Sequence, residues 1–181
     1  FGGVLMRVIT GLARGRKLKT LEGDSVRPTT DKVKESIFNI IQFEVEGRNV
    51  LDLFSGSGQL GIEALSRGAN GCVFVDSSRA SLKVTEENIK AAGFEKSART
   101  VLFDSLSYLD RTCERFDLAF LDPPYKAGLM KDALERLFLH MTKGSVIVCE
   151  TDASEVLPET IGDFSSKRYK YGKTALTVYR N

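Results

Sequence analysis

The sequence has few of the residues that build disulfide frameworks and metal centres. Three cysteines and one histidine occur among its 181 residues. The cysteines lie far apart and form no Cys-x-x-Cys pair, so we expect neither a disulfide framework nor a zinc site, and a reducing cytoplasm as the compartment. No stretch approaches the ~20 uninterrupted apolar residues that cross a bilayer, and no basic start followed by an apolar run indicates a signal peptide.

Histidine chemistry and a multidomain organisation are also not expected. His140, the one histidine, lies on a predicted helix far from the turns described below, so we expect a structural or surface role and no metal. We expect an N-terminal extension over residues 1–28, with little helical or core character, and one folded domain over residues 29–181. Residues 1–5, which precede Met6, are expected to be an expression remnant or a misassigned leader.

The formal charge of +2 conceals an asymmetry along the chain. Residues 1–34 carry a formal charge of +5, residues 166–181 carry +5 without any acid, and the residues between them carry −8. Two basic ends on an acidic body favour an anionic partner, most commonly nucleic acid. Solubilising surface charge is the alternative interpretation.

Short apolar runs alternate with helical patterns, which predicts an α/β fold with a doubly wound, Rossmann-like sheet. The runs predict strands buried on both faces over residues 50–54, 72–76, 100–104, 118–122 and 145–149. Helices are predicted after Thr30, over 60–67, from the Ser78 cap to about Ala92, and over 129–141. Residues 166–171 and 174–180 flank Gly172-Lys173, which predicts an antiparallel hairpin at the sheet edge.

Four aspartates fall at the ends of predicted strands: Asp52, Asp76, Asp104 and Asp122. Ligands of open parallel sheets bind beyond the carboxyl ends of the strands, where the strand order switches. Helix N-capping explains any single aspartate. Four together, two of them beside unusual turns, favour a ligand site.

The first unusual turn, residues 52–61, is rich in glycine. Gly56, Gly58 and Gly61 match Gly-x-Gly-x-x-Gly, and Asp76 follows Gly56 by 20 residues, so the turn also satisfies the dinucleotide fingerprint. Asp52 favours a different ligand, because a carboxylate repels a pyrophosphate but suits the sulfonium and ammonium of S-adenosylmethionine. Asp76 would then accept hydrogen bonds from the ribose, with Asp104 and Ser105 facing the adenine. A glycine turn without a ligand is the structural alternative.

The second unusual turn is Asp122-Pro-Pro-Tyr125. Two prolines remove backbone donors and leave carbonyl acceptors, and Asp122 adds a carboxylate. An exocyclic amine could therefore donate to Asp122 and to the Pro123 carbonyl while its base stacks on Tyr125. A Pro-Pro turn that merely ends a strand is the alternative.

These motifs resemble the class I methyltransferases that act on exocyclic nitrogens. More specifically, the chain resembles the bacterial 16S ribosomal RNA guanine-N2 methyltransferase family over Met6 to Arg180. The stretches that carry this resemblance are Met6-Arg-Val-Ile-Thr-Gly11, Gly15-Arg-Lys-Leu18, residues 27–39 and Tyr171-Gly-Lys-Thr174. The resemblance implies seven strands, the last antiparallel. The implied base-binding residues are Asp122, Pro123, Pro124 and Tyr125. The candidate cofactor residues are Asp52, Phe54, Ser55, Gly56, Gly58, Asp76, Ser77, Asp104 and Ser105.

The basic N-terminal end supplies the candidate RNA contacts: Arg14, Arg16, Lys17, Arg27 and Lys34. A charged edge that deters aggregation is the alternative for the first three, and a salt bridge is the alternative for Arg27. The predicted function is methylation of a guanine flipped out of 16S ribosomal RNA, or of a small-subunit assembly particle, by a monomer that releases S-adenosylhomocysteine. A DNA adenine-N6 methyltransferase and a non-enzymatic RNA-binding assembly protein are the alternatives, with a dehydrogenase third.

Overall fold

A computed structural model describes residues 6–21, 30–124 and 128–181. Within these ranges the strands are β1 (Met6–Arg7), β2 (Lys17–Leu18), β3 (Asn49–Leu53), β4 (Gly71–Asp76), β5 (Ala98–Leu102), β6 (Phe116–Leu121), β7 (Met141–Asp152), β8 (Thr160–Ile161), β9 (Phe164–Tyr171) and β10 (Thr174–Arg180). The helices are α1 (Thr30–Ile40), α2 (Gln59–Ser66), α3 (Arg79–Ala92), α4 (Ser105–Arg111) and α5 (Leu129–Leu137), and a 3-10 turn over Phe138–His140 follows α5.

Eight of the described strands form one sheet in the order β5-β4-β3-β6-β7-β10-β9-β8. Strands β3 to β7 are parallel to one another, whereas β8, β9 and β10 are joined by antiparallel pairing. The order reverses between β3 and β6, which makes this the switch point of a doubly wound sheet. The predicted fold class is confirmed, and the two-residue β8 is added to the seven implied strands.

Two hydrophobic layers cover the sheet, one on each face. Helices α1, α2 and α3 cover what we call the first face, where Ile37, Ile62 and Ile89 are buried. Helices α4 and α5 cover the second face, with Leu109 and Leu134 buried. Because helices cover both faces of the sheet, the central parallel strands carry apolar side chains on both sides. These strands therefore appear in the sequence as continuous apolar runs.

The N-terminal strap, residues 6–21, packs on the first face. Its core side chains are Met6, Val8, Ala13 and Leu18. The buried carboxylate of Glu63 on α2 accepts hydrogen bonds from the backbone N–H groups of Ile9 at 2.9 Å and Thr10 at 3.0 Å. The expectation of little core character is therefore wrong for these residues, because burying apolar side chains and satisfying backbone donors both attach the strap to the domain.

Element boundaries follow the sequence signals where capping residues are present. Ser78 caps α3 by accepting a hydrogen bond from Ser81 N at 3.2 Å, and Gly93 ends the helix in the left-handed region at φ 81°. Strand β5 ends two residues earlier than predicted, and the seven-residue α4 is not among the predicted helices. Helix α5 is shorter than predicted because Met141 already begins β7.

The predicted C-terminal hairpin is present as β9 and β10. Thr174 pairs with Tyr171 across the two-residue turn Gly172-Lys173, and Gly172 has φ 59°. This left-handed conformation is what a two-residue hairpin turn requires of glycine. No helix in the described ranges is long and apolar enough to cross a membrane.

Candidate active site

Three of the predicted aspartates meet at the carboxyl edge of the sheet. Leu53 at the end of β3 pairs with Val75 on β4 and with Leu121 on β6. Asp52, Asp76 and Asp122 therefore lie on adjacent strands at the same edge, on both sides of the switch point. This is the position at which ligands of doubly wound sheets bind.

Asp52 is buried, with 3% of its surface exposed, and it accepts a hydrogen bond from the backbone N–H of Gly61 at 3.0 Å. Gly61 lies in the first turn of α2, where backbone donors have no partner within the helix. Burial raises the pKa of the Asp52 carboxyl well above its usual value, the Gly61 bond opposes this, and the charges of Asp122 and Asp76 raise it further. Asp76 and Asp122 therefore both lie close enough to Asp52 for their charges to act on it.

The glycine turn between β3 and α2 approaches its neighbours closely. Gly58 has φ 81°, and a Cβ there would lie 2.9 Å from Cγ2 of Thr85. A Cβ on Gly61 would lie 2.3 Å from the Phe74 ring, so the glycine lets α2 pack against β4. Phe54 has φ 65°, which is uncommon for a residue with a side chain and is typical of turns at functional sites.

Two buried polar residues of α3 that the sequence interpretation missed support this turn. Thr85 Oγ1 donates to the carbonyl of Gly56 at 2.8 Å. Asn88 Nδ2 donates to the carbonyls of Ser57 and Lys19, both at 2.9 Å, and its Oδ1 accepts from Lys19 N at 2.7 Å. The sequence carries a signal for them, because both residues fall on the apolar side of the helical pattern, where a polar side chain needs a partner.

Asp76 is held by two backbone donors. Its Oδ2 accepts from Gly56 N at 2.9 Å and its Oδ1 accepts from Ser78 N at 2.8 Å. An ionised carboxylate has about four acceptor positions, so each oxygen can accept a further hydrogen bond. Ser77, also a predicted cofactor residue, is exposed next to it.

Ser55 presents a buried hydroxyl to the same turn. Its side chain is 8% exposed, and within the described residues nothing hydrogen-bonds its Oγ. Buried hydroxyls usually have a partner, so this one is a position at which a ligand could donate or accept. Ser55 N itself donates to the carbonyl of Val75 at 3.0 Å, which fixes the turn against β4.

The fourth aspartate has a capping role in addition to any ligand role. Asp104 lies two residues beyond β5, and its side chain accepts a hydrogen bond from Ser107 N at 2.9 Å as the N-cap of α4. Ser105 begins α4 and is buried. The capping interpretation is correct for Asp104, whereas Ser78 and not Asp76 caps the helix after β4.

The Asp-Pro-Pro turn follows β6 directly. Asp122 and Pro123 are half-buried and Pro124 is exposed, so the carboxylate and the proline carbonyls lie at the mouth of the carboxyl edge. Tyr125 lies outside the described residues, as does Arg27. The stacking role of Tyr125 and the RNA contact of Arg27 stay predictions.

The predicted RNA contacts divide into exposed and buried residues. Arg14, Arg16 and Lys17 are exposed on the N-terminal strap. Lys34 is only 2% exposed; its ammonium donates to the Arg7 carbonyl at 2.9 Å and lies 3.5 Å from Glu63. Burial lowers the pKa of Lys34, and the carboxylate of Glu63 opposes this. The prediction that Lys34 contacts RNA is wrong in this structure, because its charge is used to attach the strap to α1 and α2.

Comparison with known proteins finds relatives over nearly the whole chain. Residues 6–180 match the family model described as conserved hypothetical protein 95. The Bacillus subtilis protein YlbH, named as a candidate rRNA methyltransferase, is 42% identical over 181 residues, covering 97% of this chain and 98% of that protein. Ribosomal RNA small subunit methyltransferase D of Escherichia coli is 33% identical, covering 99% and 91%. A solved Escherichia coli structure, yhhF, described as a candidate methyltransferase, superposes with a TM-score of 0.88 at 31% identity, covering 97% of each chain.

Proposed function

The chain belongs to the conserved hypothetical protein 95 family and resembles ribosomal RNA small subunit methyltransferase D of Escherichia coli, and on that premise we propose that it methylates the exocyclic N2 amine of a guanine in 16S ribosomal RNA with S-adenosylmethionine as the methyl donor. The observation that carries the proposal is the group of three carboxyl groups at the switch point, beside the glycine turn. Ribosomal RNA, alone or in an assembling small subunit, is the proposed substrate, and the enzyme acts as a monomer.

The charge of this edge suits S-adenosylmethionine better than a dinucleotide. Asp52, Asp76 and Asp122 carry or can carry negative charge, which would repel a pyrophosphate and attract a sulfonium and an ammonium. Asp76 would accept hydrogen bonds from the ribose hydroxyls, because its oxygens retain acceptor capacity beside their two backbone donors. Among the described residues, only Leu21, at 3.9 Å, comes within 4 Å of the position that a Cβ on Gly56 would take, so a ligand would meet little side chain as it approached the backbone there.

The substrate amine would be held by the Asp-Pro-Pro turn. The Asp122 carboxylate and the Pro123 carbonyl only accept hydrogen bonds, and an exocyclic amine has two N–H groups to donate. Two acceptors would fix the direction of the nitrogen lone pair, and Tyr125 would support the ring by stacking. Acceptors at this place also favour the more positive nitrogen of the transition state.

When bound, S-adenosylmethionine would supply an electrophilic methyl group on a sulfonium sulfur, and this sulfur leaves readily as the neutral thioether of S-adenosylhomocysteine. The chain's own contribution is therefore positioning: Asp76 and the glycine turn fix the donor, and Asp122 with Pro123 fixes the acceptor amine. Orientation of two reactants contributes on the order of 7–11 kcal/mol in well-aligned intramolecular systems. The N–H proton that is lost after transfer can pass to Asp122 or to water at the open mouth of the site.

Methyl transfer from tritiated S-adenosylmethionine tests the proposal. The substrates are 16S ribosomal RNA, small subunits from cells lacking the enzyme, and DNA, and mass spectrometry of the digested product identifies the base. We expect label on guanine N2 of the ribosomal RNA. Label on adenine N6 of DNA would instead support the DNA methyltransferase alternative, and undetectable S-adenosylmethionine binding would support a non-enzymatic assembly protein.

A further inference from the structure

The C-terminal hairpin extends beyond the strands that carry the site. Leu121, the last residue of β6, pairs with Cys149 on β7, which pairs with Thr177 on β10, which pairs with Arg168 on β9. Strand β9 continues from that level to Tyr171, three residues further. At about 3.3 Å per residue, the hairpin projects about 10 Å past the end of β6 and forms a wall beside the carboxyl edge.

One side of this wall faces the same way as the site. Side chains alternate along a strand, so Lys167, Tyr169 and Tyr171 share a face of β9. Tyr169 and Tyr171 pack partly against the first-face layer, and Asp52 lies on that face because it is two residues from Val50. We call Lys167, Tyr169 and Tyr171 the hairpin face. It lies three strand spacings from β6, about 14 Å.

The hairpin face combines an exposed basic residue with two half-buried tyrosines. Lys167 Nζ lies 5.3 Å from the centre of the Tyr169 ring, a cation–π arrangement, and Lys167 itself is exposed. Tyr171 is half-buried, so part of the residue meets solvent. Residues 166–181 contain no acid. A cation beside aromatic rings is the combination that holds single-stranded nucleic acid through phosphate contacts and base stacking.

Acidic residues lie close to the site, whereas basic residues lie on the outer strand β9. The acidic residues are Asp52 on β3, Asp122 directly after β6, and Glu150 and Asp152 on β7. Asp152 also accepts two hydrogen bonds from Ser154. The outer strand β9 carries lysines. An amine donor is therefore attracted to the inner carboxylates, whereas phosphates are repelled there and attracted to the outer strand.

We propose that the hairpin face binds the RNA strand that flanks the methylated nucleotide, with a base stacked on Tyr171 and a phosphate on Lys167. The inference rests on the proposed function, because it needs an RNA substrate whose target base enters the neighbouring site. The N-terminal strap lies on the same face of the sheet, so both basic ends of the sequence would contact one RNA.

The test compares substitutions on the two faces of one strand. We expect Tyr171→Ala to weaken binding of 16S ribosomal RNA about tenfold or more and to raise the KM for methylation, while Tyr171→Phe retains the ring and binds as the parent does. Lys167→Ala should lower the slope of log affinity against log salt by about 0.7. Lys170→Ala is the charge-matched control, because Lys170 is exposed on the opposite face of β9. S-adenosylmethionine affinity should match the parent in all four variants, and the unfolding midpoint should match it in the three that keep the Tyr171 ring, whereas Tyr171→Ala also loses the packing of that ring on the first-face layer.

The outcomes separate this inference from the proposed function. If the parent methylates ribosomal RNA and Tyr171→Ala changes neither affinity nor KM, the hairpin inference fails and the proposed function stands. Equal effects of Lys167→Ala and Lys170→Ala would also overturn it. If the variants bind free RNA normally and lose affinity only for assembled subunits, the face contacts a ribosomal protein, which again contradicts the inference. Absence of methyl transfer by the parent would refute the proposed function itself.

Discussion

Three aspartates at one sheet edge have the same side chain and three different environments. Asp52 is buried and accepts from a helix N–H, Asp76 is fixed by two backbone donors, and Asp122 is half-buried beside two prolines. Because the surroundings differ, substitutions of the three residues should affect different measurements. Single substitutions of these three aspartates should therefore separate effects on donor binding, on methyl transfer and on stability.

Asp76→Ala should weaken S-adenosylmethionine binding. Losing hydrogen bonds to a charged acceptor costs ~1.5–3 kcal/mol, which corresponds to roughly tenfold or more in affinity. Isothermal titration calorimetry measures the effect. Asp163→Ala is the control, because Asp163 is exposed in the turn before β9, away from the site. Unchanged affinity would remove Asp76 from the donor site, and tighter binding of NADH than of S-adenosylmethionine would favour a dehydrogenase.

Asp122→Ala should stop methyl transfer and leave donor binding intact. Without this acceptor the substrate amine loses one of its two fixed directions, and a positioning loss of this kind is on the order of 100-fold in rate. Asp122→Asn should lose less, because the amide keeps one acceptor oxygen and the shape. Single-turnover methyl transfer with bound donor measures the rate. Turnover of Asp122→Ala near that of the parent would mean that the Asp-Pro-Pro turn is only structural.

Asp52→Asn should change the pH dependence of stability. The raised pKa means that the folded protein holds the Asp52 proton more tightly than the unfolded chain does. Stability from this group is present below the unfolded pKa and is lost as pH rises through the folded pKa. The asparagine cannot ionise, and its amide oxygen can still accept from Gly61. Over the pH range above the usual aspartate pKa, the melting temperature of the variant relative to the parent should rise with pH. A constant difference across that range would contradict the raised pKa.

At the scale of elements, the sequence is informative where local rules decide the structure and uninformative where tertiary partners do. Helix α3 is predicted at both ends because Ser78 and Gly93 are local caps. The short α4 escapes prediction because seven residues give too few periodic positions for a helical pattern. The burial of Lys34 could not be foreseen, because its partner Glu63 lies on another helix and lysine is usually exposed. The site aspartates can be identified because strand ends in a parallel sheet converge.

Helix α3 also joins the strap to the glycine turn through Asn88. Asn88→Ala should leave the backbone groups of Lys19 and Ser57 without partners, at a cost of about 1–3 kcal/mol per buried unsatisfied group. Chemical denaturation measures the loss, and S-adenosylmethionine affinity should fall with it, since the turn loses support. Glu87→Ala is the control, because the exposed Lys19–Glu87 ion pair involves the same strap residue and such pairs contribute about 0–1 kcal/mol. Equal losses in both variants would show that Asn88 contributes no more than a surface residue.

The N-terminal strap places three exposed basic residues on the first face of the sheet. Replacing Arg14, Arg16 and Lys17 with alanine should weaken RNA binding and reduce the log–log salt slope by roughly 0.7–0.9 for each phosphate that the variant no longer neutralises. Donor affinity should not change. Lys131→Ala, on α5 across the sheet, should leave the slope as in the parent. If the triple variant keeps the parent's slope, these residues are surface charge only.

The strand order also determines when the sheet can be completed during synthesis of the chain. A chain emerges from the ribosome from its amino end, so residues 174–180 appear after β9. Yet β10 lies between β7 and β9, and its Ala175, Leu176 and Tyr179 are fully buried. Until β10 has emerged, β7 keeps an unpaired edge and β9 has no place in the sheet. The parallel half that bears the aspartates can assemble earlier, whereas the hairpin beside them is added late. A partly synthesised chain would therefore have the residues for chemistry before it has the hairpin face.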